Sequence, residues 1–135
     1  MDYVIDLDPT HRVLRATVTG AFTDEGWTEL YRTTERLASQ DGPYAGILDL
    51  SQAADFPISP KTIRALAATN PAIPAGRPRV IVASELVMYG LARMFELSRD
   101  SMGGQLQVVR SPEEAYEKLG VRPEDFTQRV FPSKS

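Results

Sequence analysis

Two polar residues, Asp49 and Ser51, stand where an apolar run gives way to a polar loop, and this is the place in the sequence best suited to chemistry. The run is Tyr44-Ala-Gly-Ile-Leu-Asp-Leu-Ser51, and Asp55 follows in the loop behind it. A short apolar run of this kind predicts a buried parallel strand. Ligands and partners of open α/β sheets gather just beyond the carboxyl ends of such strands. We therefore expect Asp49, Ser51 and Asp55 to bind a polar ligand or a partner protein.

A second strand end adds Ser84 to the same candidate crevice. Ser84 follows Arg79-Val-Ile-Val-Ala83, a β-branched run typical of a strand that is covered on both faces. A local interpretation stands beside the functional one. Asp49 can accept backbone N–H groups of its own loop, and Ser51 can make a turn hydrogen bond. The sequence leaves both interpretations open.

The next predicted helix begins with two hydroxyl side chains, Ser59 and Thr62, which are candidate phosphorylation sites. Backbone N–H groups and the helix dipole favour negative charge at a helix N-terminus, so a phosphate would be accommodated there. Ser59 is also a good N-cap, with Pro60 at the first helical position. Helix capping alone is therefore the alternative role of Ser59.

The sequence shows no catalytic or metal-binding set. The only histidine, His11, falls in a predicted hairpin turn remote from the candidate crevice, so no general base is placed to activate the serines. We interpret His11 as an exposed turn residue. Asp6 and Asp8 lie on a predicted strand without a histidine or cysteine cluster, and Gly103-Gly104 lacks the spacing of a phosphate loop. We predict that the protein is not an enzyme and has no metal and no cofactor.

The helix predicted for residues 85–99 is too apolar to lie half in water, because its polar strip contains little more than Arg93 and Glu96. The candidate contact residues on it and just after it are Met88, Tyr89, Met94, Phe95 and Met102. These side chains either lie deep in the core or form an adaptable contact surface for a second subunit, a partner or an apolar ligand. We expect partial burial together with such a surface, and a homodimer.

Strands and helices alternate along the chain after an N-terminal hairpin. Residues 3–7 and 13–18 alternate apolar and polar side chains around a turn, which predicts two short strands with the first at a sheet edge. The four predicted helices follow the N-caps Thr23, Ser59, Ser84 and Ser111. A last short strand is predicted at residues 105–109, which gives the order β-β-α-β-α-β-α-β-α.

This order predicts an α/β fold with a mixed, mostly parallel five-stranded sheet, an N-terminal β-hairpin and about four helices. The length of 135 residues is near the commonest domain size, so we expect a single domain over residues 1–135. Residues 121–135 are expected to form a C-terminal tail with one helical turn at 123–126 and a frayed end.

Composition excludes several classes of function. The net charge of −3 and the scattered lysines and arginines disfavour a nucleic-acid partner. The absence of cysteine removes disulfides and thiolate chemistry. No apolar run approaches the roughly 18–20 residues that cross a bilayer, and the acidic N-terminus is unlike a signal peptide. We expect a soluble cytoplasmic protein without a membrane span.

Four stretches together resemble the STAS superfamily, and in particular its SpoIIAA-like subgroup of small stand-alone bacterial proteins. They are Gly46-Ile-Leu-Asp-Leu-Ser51, Val80-Ile-Val-Ala83, Gly90-Leu-Ala-Arg-Met-Phe95 and Val108-Val-Arg-Ser-Pro-Glu-Glu-Ala115. The resemblance in element order covers almost the whole chain. It implies a SpoIIAA-like fold, which is also similar to that of CRAL-TRIO lipid-binding domains.

In that superfamily, anti-sigma-factor antagonists carry a Ser or Thr in an Asp-Ser-Ser-Gly type motif at a helix start, where a kinase partner phosphorylates it. The matching stretch here is Asp55-Phe-Pro-Ile-Ser-Pro-Lys-Thr62, which keeps an acidic residue and the capping Ser59 but lacks the Ser-Ser-Gly. The resemblance therefore implies a location for function and not a reaction.

The expected function is a non-enzymatic regulatory or protein-binding module of STAS type. We expect it to recognise a partner protein around residues 49–62 and the third helix. The alternative is a carrier that holds an apolar or amphipathic small molecule between the sheet and the third helix.

Overall fold

The computed structural model of the protein describes residues 1–68, 77–100 and 106–132. These residues form four α-helices and one mixed sheet of seven strands. The strands are β1 Asp2–Asp8, β2 Val13–Ala21, β3 Ala45–Asp49, β4 Ala53–Asp55, β5 Arg79–Val82, β6 Leu106–Val109 and β7 Gln128–Phe131. The helices are α1 Asp24–Asp41, α2 Pro60–Ala68, α3 Leu86–Asp100 and α4 Pro112–Leu119, and a 3-10 turn follows at Pro123–Asp125.

The centre of the sheet is parallel. Strands β2, β3, β5 and β6 are neighbours that run in one direction, with Ile47 of β3 opposite Val80 of β5. Apolar clusters cover this part of the sheet on both faces, which explains why β3 and β5 have continuously apolar sequences. The two strands end side by side, with Asp49 opposite Val82.

The N-terminal hairpin is confirmed, but its first strand is not a sheet edge. β1 pairs antiparallel with β2 along its length and antiparallel with β7 on its other side. β7 lies in the segment that was expected to be a tail. The second unpredicted strand is β4, three residues that pair in parallel with the end of β2. Seven strands in the order β6-β5-β3-β2-β1-β7, with β4 beside β2, therefore replace the predicted five.

Two apolar cores lie on the two faces of the sheet. The larger core packs α1, α2 and α3 against the sheet and includes a row of rings, with Trp27 5.3 Å from Phe22 and 5.1 Å from Phe95 between centroids. The smaller core lies under α4 and the 3-10 turn and includes Ala115 and Phe126. On this second face, most side chains of β1 and of β2 from Arg15 onward are polar, namely Asp2, Asp6, Arg15, Thr17 and Thr19.

The helix starts follow the predicted caps with one exception. Thr23 and Ser111 cap α1 and α4 through their side chains, as predicted. At α3 the cap is Glu85 rather than Ser84, because the Met88 backbone N–H donates to Glu85 Oε2 at 3.1 Å. Among the four described helices, none combines the length and the hydropathy that a membrane span requires.

Candidate functional site

Asp49 and Ser51 lie at the carboxyl end of β3 and bind each other. Asp49 is only 5% exposed, and its Oδ1 accepts the Ser51 backbone N–H at 2.9 Å and the Ser51 hydroxyl at 2.6 Å. The local interpretation of this pair is therefore confirmed. Within the described residues both hydrogen bonds of Asp49 end on Oδ1, so Oδ2 remains an acceptor for another group.

Ser84 and Asp55 make their hydrogen bonds elsewhere. The Ser84 hydroxyl donates to the Arg110 carbonyl oxygen at 2.8 Å, and Arg110 Nη2 donates to the Ser84 carbonyl oxygen at 3.3 Å. These two bonds join the chain after β5 to the chain after β6. Asp55 is exposed at the end of β4, where its carboxylate accepts the Phe56 N–H at 2.8 Å. Of the four residues of the predicted crevice, Asp49 and Ser51 are therefore hydrogen-bonded to each other, whereas Ser84 and Asp55 bond to other groups.

Ser59 caps α2 and also contacts the start of α1. Its Oγ accepts the Thr62 N–H at 3.2 Å, and its own backbone N–H donates to Asp24 Oδ1 at 2.9 Å. This backbone hydrogen bond lowers the pKa of Asp24, because it stabilises the charged carboxylate. The capping role of Ser59 is confirmed, and its phosphorylation stays a prediction.

His11 lies in the β1–β2 turn within a small acidic cluster that the sequence did not reveal. Its Nδ1 is 2.7 Å from Asp8 Oδ2 and 3.9 Å from Asp125 Oδ2. Asp8 is buried, and its Oδ1 accepts the N–H groups of Thr10 and His11. The Arg122 backbone N–H donates to Asp125 and lowers the pKa of that carboxyl. Backbone N–H groups thus bind both carboxylates. We interpret the cluster as a structural contact between the hairpin turn and the 3-10 turn.

The apolar residues of α3 divide between the core and the surface. Met88 and Phe95 are buried in the larger core, so their side chains are not part of the exposed surface of α3. Met94 is 43% exposed. Three further side chains that were not singled out are more exposed, namely Leu86 at 70%, Val87 at 63% and Leu97 at 63%. Met102, Gly103 and Gly104 lie outside the described residues.

An apolar cavity of about 110 Å³ lies between α1, the sheet and α3. Its wall includes Leu14, Ala16, Trp27, Leu30, Ile81 and Phe95. A dry apolar cavity of roughly 150 Å³ is known to hold benzene, so a space of this size admits a very small molecule or the end of a chain. Of the residues predicted to form the site, Phe95 is the one that lines this cavity.

A polar groove of about 360 Å³ lies on the opposite face, beside α4. Residues of β1, β2, β3 and β7 line it, together with Gln52 and Tyr116, and Asp49 contributes from the end of β3. Asp6, only 7% exposed, lies between two arginines in this groove. Its Oδ1 accepts Arg129 Nε at 3.0 Å, and its Oδ2 accepts Arg15 Nη2 at 3.4 Å.

Arg15 is held in place from further directions. Its Nη1 donates to the Tyr116 hydroxyl at 3.0 Å, and its guanidinium carbon lies 4.3 Å from the centroid of the Phe126 ring. Arg15 Nε is buried and has no hydrogen-bond partner among the described residues. These contacts fix the Arg15 guanidinium in the wall of the groove.

The comparisons with known proteins give no family for the chain. A scan against protein-family models finds no match. A search of curated proteins finds no similar sequence either.

Proposed function

We propose that the protein is a non-enzymatic regulatory or protein-binding module of STAS type, which acts as a homodimer and contacts its partner through α3. The observation that carries the proposal is the exposure of Leu86, Val87, Met94 and Leu97 on one helix. We call these four residues the α3 surface. Large apolar side chains grouped on a surface are typical of sites that bind another protein, because their contact with water is unfavourable.

The arrangement of α2 supports a surface that is wider than α3 alone. Residues 51–59 lead into α2, and α2 packs against α3. The exposed Asp55 therefore precedes a helix that packs against α3. We propose that the loop of Asp55 forms the polar rim of the same interface, since an apolar centre with a polar rim is the usual anatomy of a protein interface.

The mass of the protein in solution tests the proposal. We expect light scattering at micromolar concentration to give the mass of a dimer. Met94→Glu and Leu97→Glu should each give a monomer, because a buried unpaired carboxylate weakens the dimer by about 100-fold or more. Thr127→Glu is the matched control, since it adds the same charge at an exposed position after the 3-10 turn.

Two outcomes would remove the α3 surface from the proposal. One is a strict monomer for the unaltered protein over the whole concentration range. The other is a dimer that persists unchanged in both glutamate variants. Either result would leave the exposure of α3 without a role in self-association.

The second candidate function, a carrier of an apolar or amphipathic molecule, is supported by the apolar cavity. Its volume of about 110 Å³ limits the cargo to a small molecule unless the cavity expands. Native mass spectrometry after mild purification should then show a bound molecule, and benzene should raise the melting temperature. Ala16→Leu fills the cavity and should abolish both effects. A clean unliganded mass with no response to benzene would count against the carrier.

A further inference from the structure

The polar groove on the α4 side of the sheet has two ends of opposite charge. We propose that this groove is a binding site for a small zwitterion, a molecule that carries one ammonium and one carboxylate group a short distance apart. The groove volume of about 360 Å³ lies within the range of roughly 300–1,000 Å³ that is typical of small-molecule sites. The site is separate from the α3 surface, so the proposal does not rest on the proposed function.

The cationic end consists of Arg15, Arg129 and the carboxylate between them. Asp6 neutralises one of the two guanidinium groups, which leaves one positive charge over the three side chains. Arg15 Nε is buried without a hydrogen-bond partner among the described residues, and the Arg129 side chain is half exposed. A ligand carboxylate would accept hydrogen bonds from the half-exposed Arg129 and balance the charge, while the buried Arg15 contributes its charge and not its Nε–H.

The anionic end contains the buried Asp49 and the exposed Asp2, which lies opposite Thr19. Asp49 Oδ1 is occupied by the backbone N–H and the hydroxyl of Ser51, which fixes the orientation of the carboxylate. Oδ2 is therefore the oxygen that would accept an ammonium group. Because Asp49 is only 5% exposed, little water would remain between the two charges. Gln52 lines the same end of the groove and adds an amide for hydrogen bonding.

Strand register gives the separation of the two ends. Asp49 is paired with Thr17, and Arg15 lies two residues earlier on the same strand and the same face. Two residues of a strand span roughly 7 Å, and adjacent strands lie about 5 Å apart. The charges of a dipeptide or of an ω-amino acid span such a distance better than those of a single α-amino acid. The neutral side chain of Thr17 lies level with Asp49 on the groove surface and offers a hydroxyl to the ligand, and Thr19 lies two residues beyond it.

A titration with matched probes tests the proposal. Glycylglycine is the zwitterion, while N-acetylglycine lacks the ammonium group and glycinamide lacks the carboxylate. Amide resonances in NMR spectra of the isotope-labelled protein report binding. We expect saturable shifts at Asp49, Gln52 and Thr17 with glycylglycine at millimolar concentration. Each single-charge probe should bind about tenfold more weakly or worse, because one charge-assisted contact is lost.

Two variants separate the two ends of the groove. Asp49→Asn keeps Oδ1 for Ser51 but removes the charge, so it should weaken glycylglycine binding about tenfold and leave N-acetylglycine unaffected. Arg129→Gln, at a half-exposed position, should do the reverse by weakening N-acetylglycine and sparing glycinamide. Glu25→Gln is the control for charge removal on the other side of the molecule, and it should change none of the affinities.

Several results would overturn the assignment. The proposal fails if glycylglycine causes no saturable shifts, if it binds no better than glucose, or if Asp49→Asn leaves its affinity unchanged. Should Asp49→Asn fail to fold, Arg129→Gln and the single-charge probes still decide the question. Because Met94→Glu does not alter the groove, that variant should bind glycylglycine normally whether or not α3 forms a dimer.

Discussion

Asp24 is the side chain whose titration reports on the contact between the starts of α1 and α2. Its pKa is lowered mainly by the hydrogen bond from the Ser59 backbone N–H. A carboxyl with a lowered pKa in the folded state stabilises the protein at neutral pH, and this contribution is lost as the pH falls through that pKa. Asp24→Asn should therefore cost about 0.5–1 kcal/mol at pH 7, because the group is close to solvent. The difference should shrink below the ordinary carboxyl pKa of 3.8 and vanish at lower pH.

Chemical unfolding at a series of pH values measures this effect. Glu25→Gln is the appropriate control, because it removes a charge from the same helix start without touching Ser59. If both variants show the same dependence on pH, the helix dipole and not the Ser59 hydrogen bond determines the effect. The same geometry bears on the candidate phosphorylation sites, since a phosphate on Ser59 would be repelled by Asp24.

At the residue scale, sequence predicts contacts between near neighbours and misses those between distant ones. The Asp49–Ser51 hydrogen bond joins residues two positions apart, and the Ser59 cap joins residues three positions apart. The known preferences of Asp and Ser in turns and at helix N-termini predict both contacts. The Asp6 contacts join residues 9 and 123 positions apart. The polar groove depends on these distant contacts. Arg15 and Thr17 share one face of β2. The same alternation of polar and apolar residues occurs in a strand whose polar face is open to water, so it does not predict a groove.

At the scale of elements, the start of α3 depends on the cap that Glu85 supplies. Glu85→Ala should lower the free energy of unfolding by about 1 kcal/mol, because the Met88 N–H loses its acceptor. Glu85→Gln should restore most of that loss, since its amide oxygen can accept the same hydrogen bond. Urea unfolding of the two variants measures the difference.

Ser84→Ala is the informative comparison for this cap. The Ser84 hydroxyl binds the Arg110 carbonyl oxygen and not the first turn of α3. Its loss should therefore leave α3 intact, and the total helix content measured by circular dichroism should not change. A larger loss of helix in Ser84→Ala than in Glu85→Ala would show that Ser84 is the cap in solution.

The elements that sequence predicted are those with a strong local pattern. β3 and β5 are buried on both faces and have continuous apolar sequences, and α1 has a clear cap and an apolar stripe. β4 and β7 have neither feature, because β4 contains only Ala53–Asp55 and β7 begins with two exposed residues. Short strands of this kind form because a neighbouring strand offers unpaired backbone groups, which no local pattern records.

At the scale of the whole molecule, the sheet separates two surfaces with different chemistry. The helices α1, α2 and α3 cover one face, which carries the α3 surface and the apolar cavity. The other face is covered by α4 only in part and carries the polar groove. Asp49 lines the groove from the end of β3, while the chain from Ser51 leads toward α2. A ligand bound at Asp49 would thus contact a residue that lies just before the loop proposed to meet a partner.

The last strand, β7, pairs with β1 and so covers the backbone groups that β1 would otherwise expose at the edge of the sheet. Phe131 stacks on Tyr3 with 4.7 Å between ring centroids, and Arg129 pairs with the buried Asp6. A chain that ends at Phe126 should lose about 3 kcal/mol of unfolding free energy, because apolar contacts and one partner of a buried carboxylate disappear. It should also associate through the exposed β1 edge. Urea unfolding and light scattering measure the two effects, and a chain that ends at Pro132 keeps β7 and serves as the control. Equal stability of the two chains would mean that β7 does not belong to the sheet in solution.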